Sequence, residues 1–406
     1  MSSPSFGGLL VVAAIALGAP LLVGMVPAVR VPAVVLEIVA GIVVGPAGFG
    51  WVEVDVPIEV LSILGLAFLL FLAGLEIDVA KLRGPVLRSA GLGYGLTLAL
   101  GLAVGLAFAG AGWVRSPVLI AIALSATSLG LVVPVLKDAG KLDAPVGQLT
   151  VAGASVADFA AVVLLSLLFS EMSGSAASKV VLLGLFSLMA GLAVVALGRL
   201  ERSTRLSTVL VRLQDTTAEI RVRFAVLLLV AFVALASRLG LETILGAFLA
   251  GAILNLVDRD TMTHPHFRLK LEAVGYGFVI PVFFVASGLR FDLKALLDSP
   301  SAIARVPLFL LALLVVRGVP AALYASTVGR RQAVAAGLLQ ATSLPFLVTA
   351  TAIGVTLGEI RPVTAAALVS AGLLSVVIFP LVAVTLLSGE ASAVHQPKVT
   401  SPRLGS

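Results

Sequence analysis

Apolar segments follow one another through the chain from Phe6 to residue 387, separated by short gaps that contain charges, Gly or Pro. Most of them reach the length of about 20 residues that a helix needs to cross the hydrocarbon core of a bilayer. The chain is 60% hydrophobic and only 12% charged, a composition that excludes a water-soluble domain of this length. The sequence therefore predicts an all-α polytopic membrane protein.

Hydropathy and the positions of Gly, Pro and charged residues predict thirteen transmembrane helices. Their approximate limits are residues 6–26, 32–50, 58–77, 86–110, 116–136, 147–170, 178–198, 221–237, 240–257, 271–289, 303–328, 332–357 and 362–387.

The Lys and Arg residues between the spans predict the topology. With the amino terminus outside, nineteen basic residues fall on the cytoplasmic side and seven on the opposite side, and Arg317 falls inside a span. Cytoplasmic loops of membrane proteins carry this excess of basic residues. We therefore expect a multi-pass protein in the lipid bilayer of the cell (inner or plasma) membrane, with a cytoplasmic carboxyl terminus. Topology also explains the net charge of +6, so no nucleic-acid partner is predicted.

Three short motifs occur twice, in the same order and at separations of 210 to 215 residues. The pairs are Phe71–Asp78 with Phe284–Asp292, Ala126–Leu129 with Ala341–Leu344, and Ala40–Gly41 with Ala250–Gly251. Because matching spans are seven apart, an odd number, the two units cross the membrane in opposite directions. The sequence therefore predicts two inverted-topology repeats with crossed discontinuous helices, an architecture typical of secondary transporters.

These patterns divide the chain into five parts. They are an N-terminal helix (1–30), the first inverted repeat (31–170), connecting helices with a basic cytoplasmic loop (171–239), the second inverted repeat (240–388) and a short cytoplasmic tail (389–406).

One span in each repeat carries small hydroxyl residues at mid-membrane, followed by a proline. Ser125, Thr127 and Ser128 precede Pro134, and Thr342 and Ser343 precede Pro345. Proline removes a helix hydrogen bond, and unwound backbone is tolerated at this depth only beside protein or a water-filled cavity. We expect these spans to be the discontinuous helices. The alternative is that the hydroxyls bond back to carbonyls of their own helices.

A single carboxylate, Asp158, lies near the middle of the predicted sixth span. A charge at that depth costs at least about 2.5 to 3.5 kcal/mol, and such residues usually mark an ion or proton path. Ser155 lies one helical turn earlier on the same face, and with Thr127 and Ser128 it would add the oxygen ligands that hard cations prefer. These residues form the predicted site for a proton and a monovalent metal cation. The alternative is an acid paired permanently with a neighbouring helix.

Four segments resemble the monovalent cation:proton antiporter superfamily, especially its bacterial Kef/Nap-type branch. They are Val31–Pro46, Leu69–Asp78, Leu245–Gly251 and Ile280–Leu293. The resemblance covers about Pro32 to Leu387. It implies a homodimer in which a dimerisation domain flanks a mobile core of six helices, and an elevator-like exchange of Na+ or K+ for H+.

The chain departs from the pattern of this superfamily at several positions. The carboxylate pair falls on Ala157 and Asp158, where the first residue is normally Asp, Asn or Gln. Ser343-Leu344-Pro345 stands where branch members often carry Gly-Glu. The basic residue of the eleventh span corresponds to Arg317, which would compensate charge, either at a half-helix carboxyl end or by pairing with Asp158. About eighteen residues follow the last span, so no nucleotide-binding domain is expected.

The predicted function is secondary active antiport. Burial disfavours a charged carboxylate, so either a proton or a cation must neutralise Asp158 before it crosses. With one titratable acid in place of two, electroneutral exchange is expected. Glu37 is a predicted gate on the cytoplasmic side or, equally, a partner of a helix amino terminus. Glu76 and Asp78 are expected to be cytoplasmic surface groups.

Two other transport functions stay open from the residues alone. A cation channel or facilitator would use Asp158 for selection without titration, and a sodium-coupled organic anion symporter would use a related fold. An enzyme is not predicted, because no metal triad or Ser/His arrangement lies at membrane depth and the chain has no cysteine. No cofactor is predicted.

Overall fold

The computed structural model describes residues 6–25, 32–76, 84–169, 216, 218–257 and 266–388, with isolated residues between 181 and 195. Helices joined by turns and short loops make up these parts of the chain, and one bridge pairs Val114 with Ile360. The predicted seventh span (178–198) and the basic loop after it lie largely outside the described residues, and Asp78 and the tail (389–406) lie wholly outside them.

The described helices are named here in chain order. In the amino-terminal half they are α1 (Phe6–Met25), α2 (Ala33–Val44), α3 (Val56–Leu75), α4 (Gly84–Gly110), α5 (Pro117–Ser125), α6 (Leu129–Asp138) and α7 (Pro145–Phe169). In the carboxyl-terminal half they are α8 (Ile220–Arg238), α9 (Thr243–Val257), α10 (Phe267–Val274), α11 (Ile280–Leu289), α12 (Leu293–Leu297), α13 (Pro300–Leu313), α14 (Ala325–Val328), α15 (Arg330–Gln340), α16 (Pro345–Thr356) and α17 (Pro362–Ser388).

Two π-helical segments interrupt otherwise continuous spans. Gly275–Val279 joins α10 to α11, and Leu314–Gly318 follows α13 and leads into the 3₁₀ segment Val319–Tyr324. Single π turns inside helices occur frequently at functional sites. Both segments are used in the site described below.

Twelve of the thirteen predicted spans coincide with a described helix or an interrupted pair of helices. Among the described residues, nine helices are long and apolar enough to cross a membrane, and the bent pair α15 and α16 makes ten. The helices α2 and α9 are shorter than predicted, because α2 ends at Val44 and α9 begins at Thr243. The fold is therefore the predicted all-α polytopic one.

Both predicted discontinuous helices are present. Residues 126–128 separate α5 from α6, and residues 341–344 separate α15 from α16, which are bent by 43°. Pro345 opens α16 at its first position, where proline needs no amide partner. The expectation that Pro134 unwinds the first span is wrong, because Pro134 lies inside α6 and the break precedes it.

The inverted repeat is visible in how the helices touch. Gly41 of α2 packs against Gly288 of α11, and Gly251 of α9 packs on the turn of α3 that contains Gly74. A Cβ added at any of these four glycines would overlap a backbone carbonyl oxygen of the facing helix. The sequence repeat pairs Gly41 with Gly251 and Gly74 with Gly288. The two units therefore make the same close helix contact twice, each time with the other unit.

We expect Gly251→Ala to destabilise the protein by about 1 to 3 kcal/mol, the usual cost of overpacking a tight contact. The added methyl group would meet the carbonyl of Phe71. Gly91→Ala on α4 is the matched control, because nothing lies within 4 Å of its added Cβ and Ala is favoured over Gly in a helix by about 1 kcal/mol. Thermal unfolding in detergent measures both, and equal midpoints would contradict a close α3–α9 contact.

The core of the described chain joins helices from α2 through α17 in one apolar cluster. Helix α1 lies at the edge and packs on α2, α3 and α11 through residues such as Val12. Its remaining surface exposes large apolar side chains, among them Leu10, Leu17 and Met25. Such an exposed apolar stretch suits a lipid environment.

Candidate functional site

Asp158 lies near the middle of α7, where the two broken helices cross. Its Oδ1 accepts the amide of Thr127 at 3.0 Å, and its Oδ2 accepts the amide of Leu129 at 3.4 Å. These amides lie in the first break and at the start of α6, where helix geometry leaves N–H groups without partners and favours negative charge. The carboxylate thus accepts hydrogen bonds from amides that the break leaves without a partner in the helix.

The two breaks are also bonded to each other. The amide of Ser128 donates to the carbonyl of Thr342 at 2.9 Å, and the hydroxyl of Thr127 donates to the carbonyl of Gln340 at 2.7 Å. The hydroxyl of Thr342 bonds back to Leu338 in its own helix, so the alternative of local back-bonding holds for that side chain. The paired breaks hold the backbone around Asp158 in place.

Ser375 on α17 bonds the second break, as Asp158 on α7 bonds the first. Its hydroxyl accepts the amide of Ser343 at 3.3 Å and lies 3.3 Å from the carbonyl of the same residue. The hydroxyl oxygen of Ser343 is buried without a hydrogen-bond partner. The repeat therefore places a carboxylate at one break and a neutral hydroxyl at the other.

Arg317 is almost fully buried, with 2% of its surface exposed, and it lies in the π-helical segment after α13. Its Nε and Nη2 donate to the hydroxyl oxygen of Thr127 at 2.9 and 2.6 Å. Nη1 donates to Thr97 at 3.2 Å, and Nη2 also lies 3.4 Å from the carbonyl of Gly153. The expected ion pair with Asp158 is not formed among the described residues, although the two charges interact electrostatically.

The Thr127 hydroxyl lies between Arg317 and the carboxyl end of α15. Because it accepts from Arg317 and donates to Gln340, Arg317 reaches this helix end through Thr127, which agrees with the first of its two expected roles. A hydroxyl has one proton and two lone pairs. Both lone pairs face the guanidinium, so the Thr127 hydroxyl is not free to bind a cation in this conformation. The backbone carbonyl of Thr127 is the oxygen that remains.

A cavity of about 70 Å³ reaches Asp158 from the side of the molecule on which α3 ends. Its polar lining includes Asp158, Thr127, Ser128, Glu76 and Tyr276. A cavity needs about 10 to 15 Å³ of water-accessible space to hold one water molecule, so this one has room for a small ion with several waters.

Besides Arg317, four predicted residues lie outside this cavity. Ser155 is buried on α7 and does not line it, so the structure does not bring its hydroxyl to the site. Thr342 and Ser343 are buried in the second break. Glu37 is buried on α2, one turn after Val34, which does line the cavity. A gating or pairing role for Glu37 stays a prediction.

A second, larger cavity of about 480 Å³ lies toward the opposite end of α3. Its lining includes Ser62, Ser287, Arg290, Thr349 and Thr351, and it does not include Asp158. Of these two cavities, which are lined by described residues, only the smaller one reaches Asp158.

Sequence reasoning missed part of the polar network behind the site. Gln340, 1% exposed, donates to the hydroxyl of Tyr324 at 3.1 Å, and the hydroxyl of Ser125 lies 3.1 Å from that of Tyr94. Ser125 and Gln340 each stand directly before the repeated Ala-Thr-Ser-Leu motif. The repeat itself was the signal that could have identified Gln340.

Comparison with known proteins gives consistent results. The family model described as sodium/hydrogen exchanger, transmembrane, matches residues 13–389. A protein of Bacillus subtilis (strain 168) assigned as a Na+/H+ antiporter is 31% identical over 398 residues, which are 94% of this chain and 63% of that protein. A Na+/H+ antiporter of Enterococcus hirae is 31% identical over 277 residues, which are 64% of this chain and 67% of that protein.

One solved structure shows the same fold. The sodium proton antiporter MjNhaP1 from Methanocaldococcus jannaschii, determined at pH 8, matches with a TM-score of 0.63 over 94% of this chain and 96% of that chain, at 17% identity. The chain spans less than two thirds of the length of the Bacillus subtilis relative.

Proposed function

Because the chain belongs to the sodium/hydrogen exchanger family, we propose that it exchanges a monovalent cation, Na+ or K+, for H+, with Asp158 binding each in turn. One observation carries the proposal. Asp158 lies at the crossing of the broken helices and lines the cavity on the side where α3 ends, whereas the larger cavity toward the other end of α3 does not reach it. That is the geometry an exchanger needs to load its site from one compartment at a time.

The chemistry follows from burial of a single carboxylate. An ionised Asp158 in a low-dielectric site must be compensated, and a proton or a cation can do so. Between these states, the amides of Thr127 and Leu129 stabilise the charged form, and the buried Arg317 adds a positive field. Because proton and cation compete for the same oxygens, binding of one releases the other.

Alternating access requires Asp158 to move from the smaller cavity to the larger one. Helices α2, α3, α9 and α11 are joined by the close glycine contacts and would form the static part, which also mediates a homodimer. The broken helices and α7 would form the moving part, in an elevator-like transition. By the charge distribution of the loops, the side on which α3 ends is cytoplasmic.

The test of this proposal is dissipation of a preset pH gradient by purified protein in liposomes, across chloride salts of Na+, K+, Li+ and choline. We expect dissipation with Na+ or K+ and none with choline. Exchange with none of the alkali cations would refute the proposal. An imposed pH gradient must also drive cation uptake uphill, because a channel or facilitator would not do so and a symporter would need an organic anion.

The position next to Asp158 makes a prediction about stoichiometry. Ala157 is fully buried, so we expect exchange of one cation per proton whose rate does not depend on membrane voltage. Ala157→Asp adds a second charge and should make exchange voltage-dependent, by up to about 2.3 kcal/mol per 100 mV for one net charge moved. Na+/H+ exchange in liposomes clamped with K+ and valinomycin measures this. Ala157→Asn is the neutral control, and voltage-independent exchange by Ala157→Asp would contradict the argument.

A further inference from the structure

Glu76 directly follows the last residue of α3 and lines the same cavity as Asp158. Its Oε2 is buried and has no hydrogen-bond partner. Glu76 is thus half-buried, and the expectation of a surface group is wrong for this oxygen, because the end of α3 lies against the π-helical segment between α10 and α11. A buried carboxylate oxygen without a donor is costly unless something transient neutralises it.

The charged and titratable groups around Glu76 do not provide a permanent partner among the described residues. Arg268 donates to the carbonyl of Leu75 at 2.6 Å and lies 3.7 Å from Glu272, so its guanidinium is engaged beside Glu76 and not with it. Asp158 and Tyr276 face the same cavity. Helix α3 ends at Leu75, so Glu76 lies just beyond the observed span; burial raises its pKa to about 7, with Arg268 lowering it and Glu272 raising it.

The counterpart of Glu76 in the second repeat is Arg290, and the two are not equivalent. Arg290 lines the larger cavity at the opposite side. It is paired with Glu59 and lies 3.4 Å from the hydroxyl of Ser62. One mouth thus presents a carboxylate with an unsatisfied oxygen, whereas the other presents a cation that is already neutralised. Repeat symmetry alone therefore does not account for a carboxylate at position 76.

We propose that Glu76 is a second exchangeable carboxylate, which receives the monovalent cation or the proton at the cavity mouth and passes it to Asp158. The inference rests on the proposed function. When a proton leaves the Glu76 carboxyl and binds the Asp158 carboxylate, the cation released by Asp158 moves to the ionised Glu76. The summed charge of the two groups and their ligands does not change in this step, so it fits electroneutral exchange with Ala157 in place of a second acid.

The experiment compares Glu76→Gln with the unaltered protein in everted and right-side-out vesicles, which present opposite faces. Above about pH 7 Glu76 is ionised and attracts cations, and below this pH it is protonated. We expect the substitution to raise the KM for the cation about three- to tenfold at pH 8, on the face where α3 ends. At pH 6, and on the other face, KM should stay close to that of the unaltered protein.

Two further variants separate this role from a structural one. Glu76→Asp should bring the KM at pH 8 most of the way back to that of the unaltered protein. Glu272→Gln removes a nearby negative charge that does not line the cavity, and should leave KM within about twofold because the group is exposed. Unchanged KM for Glu76→Gln on both faces at pH 8 would overturn the inference and leave the proposed function intact. An equal rise in KM on both faces that Glu76→Asp does not reverse would also overturn the inference. Absence of exchange in the unaltered protein would instead refute the proposed function itself.

Discussion

Asp158→Asn should lower cation-dependent dissipation of a pH gradient at least about a hundredfold, equivalent to about 2.8 kcal/mol. Asparagine has nearly the same shape and keeps one oxygen to accept the amide of Thr127 or Leu129. It cannot ionise, so it can neither release a proton nor compensate a cation. The measurement is the rate of exchange per mole of reconstituted protein in Na+ and in K+ salts.

The matched control for this substitution is Ser155→Ala. Ser155 lies one turn away on α7 and is buried, but it does not line the cavity. We expect it to keep exchange within about threefold, because no described contact ties its hydroxyl to the ion path. Exchange by Asp158→Asn at the rate of the unaltered protein would remove Asp158 from the mechanism. A large loss of exchange in Ser155→Ala, with Asp158 unaltered, would instead show that Ser155 is a ligand of the cation.

The fold was largely predictable because its determinants are local. The length and apolarity of each segment predict a membrane helix, and the repeated motifs predict two inverted units. The position of the first break was not predictable from Pro134. That break is stabilised by hydrogen bonds from Thr127 and Leu129 to Asp158, which lies about 30 residues further along the chain, and a local sequence rule does not contain such a contact.

Residue types at the candidate site were predictable to a similar extent, but their orientations were not. Asp158 and Ser128 do face the cavity. The hydroxyl of Thr127 is held by Arg317, a residue 190 positions away, and the position of Glu76 at the end of a span gave no sign that its carboxylate faces inward. In each case a tertiary contact decides what the side chain can bind.

Arg317→Ala should destabilise the protein by about 3 to 5 kcal/mol and abolish exchange. The substitution empties a large buried volume and leaves the hydroxyls of Thr127 and Thr97 without their guanidinium donor, and both effects are costly in a core. Arg317→Lys keeps the charge but not the planar fork that donates to both threonines. We expect it to fall between Arg and Ala in thermal stability and in exchange rate. Arg331→Ala, at an exposed arginine on α15, should change stability by less than about 0.5 kcal/mol.

Double-mutant cycles distinguish the two roles considered for Arg317. If the guanidinium acts mainly by holding Thr127, Arg317→Lys should couple strongly to Thr127→Val, by about 1 kcal/mol or more, because the two groups are in direct contact. If it acts mainly by neutralising the empty site, its coupling to Asp158→Asn should be the larger of the two. The observed geometry favours the first result, since Thr127 accepts from Arg317 and also has its amide on Asp158. Coupling to Asp158→Asn alone would show that Arg317 acts on the carboxylate directly, and that the Thr127 contact is incidental to transport.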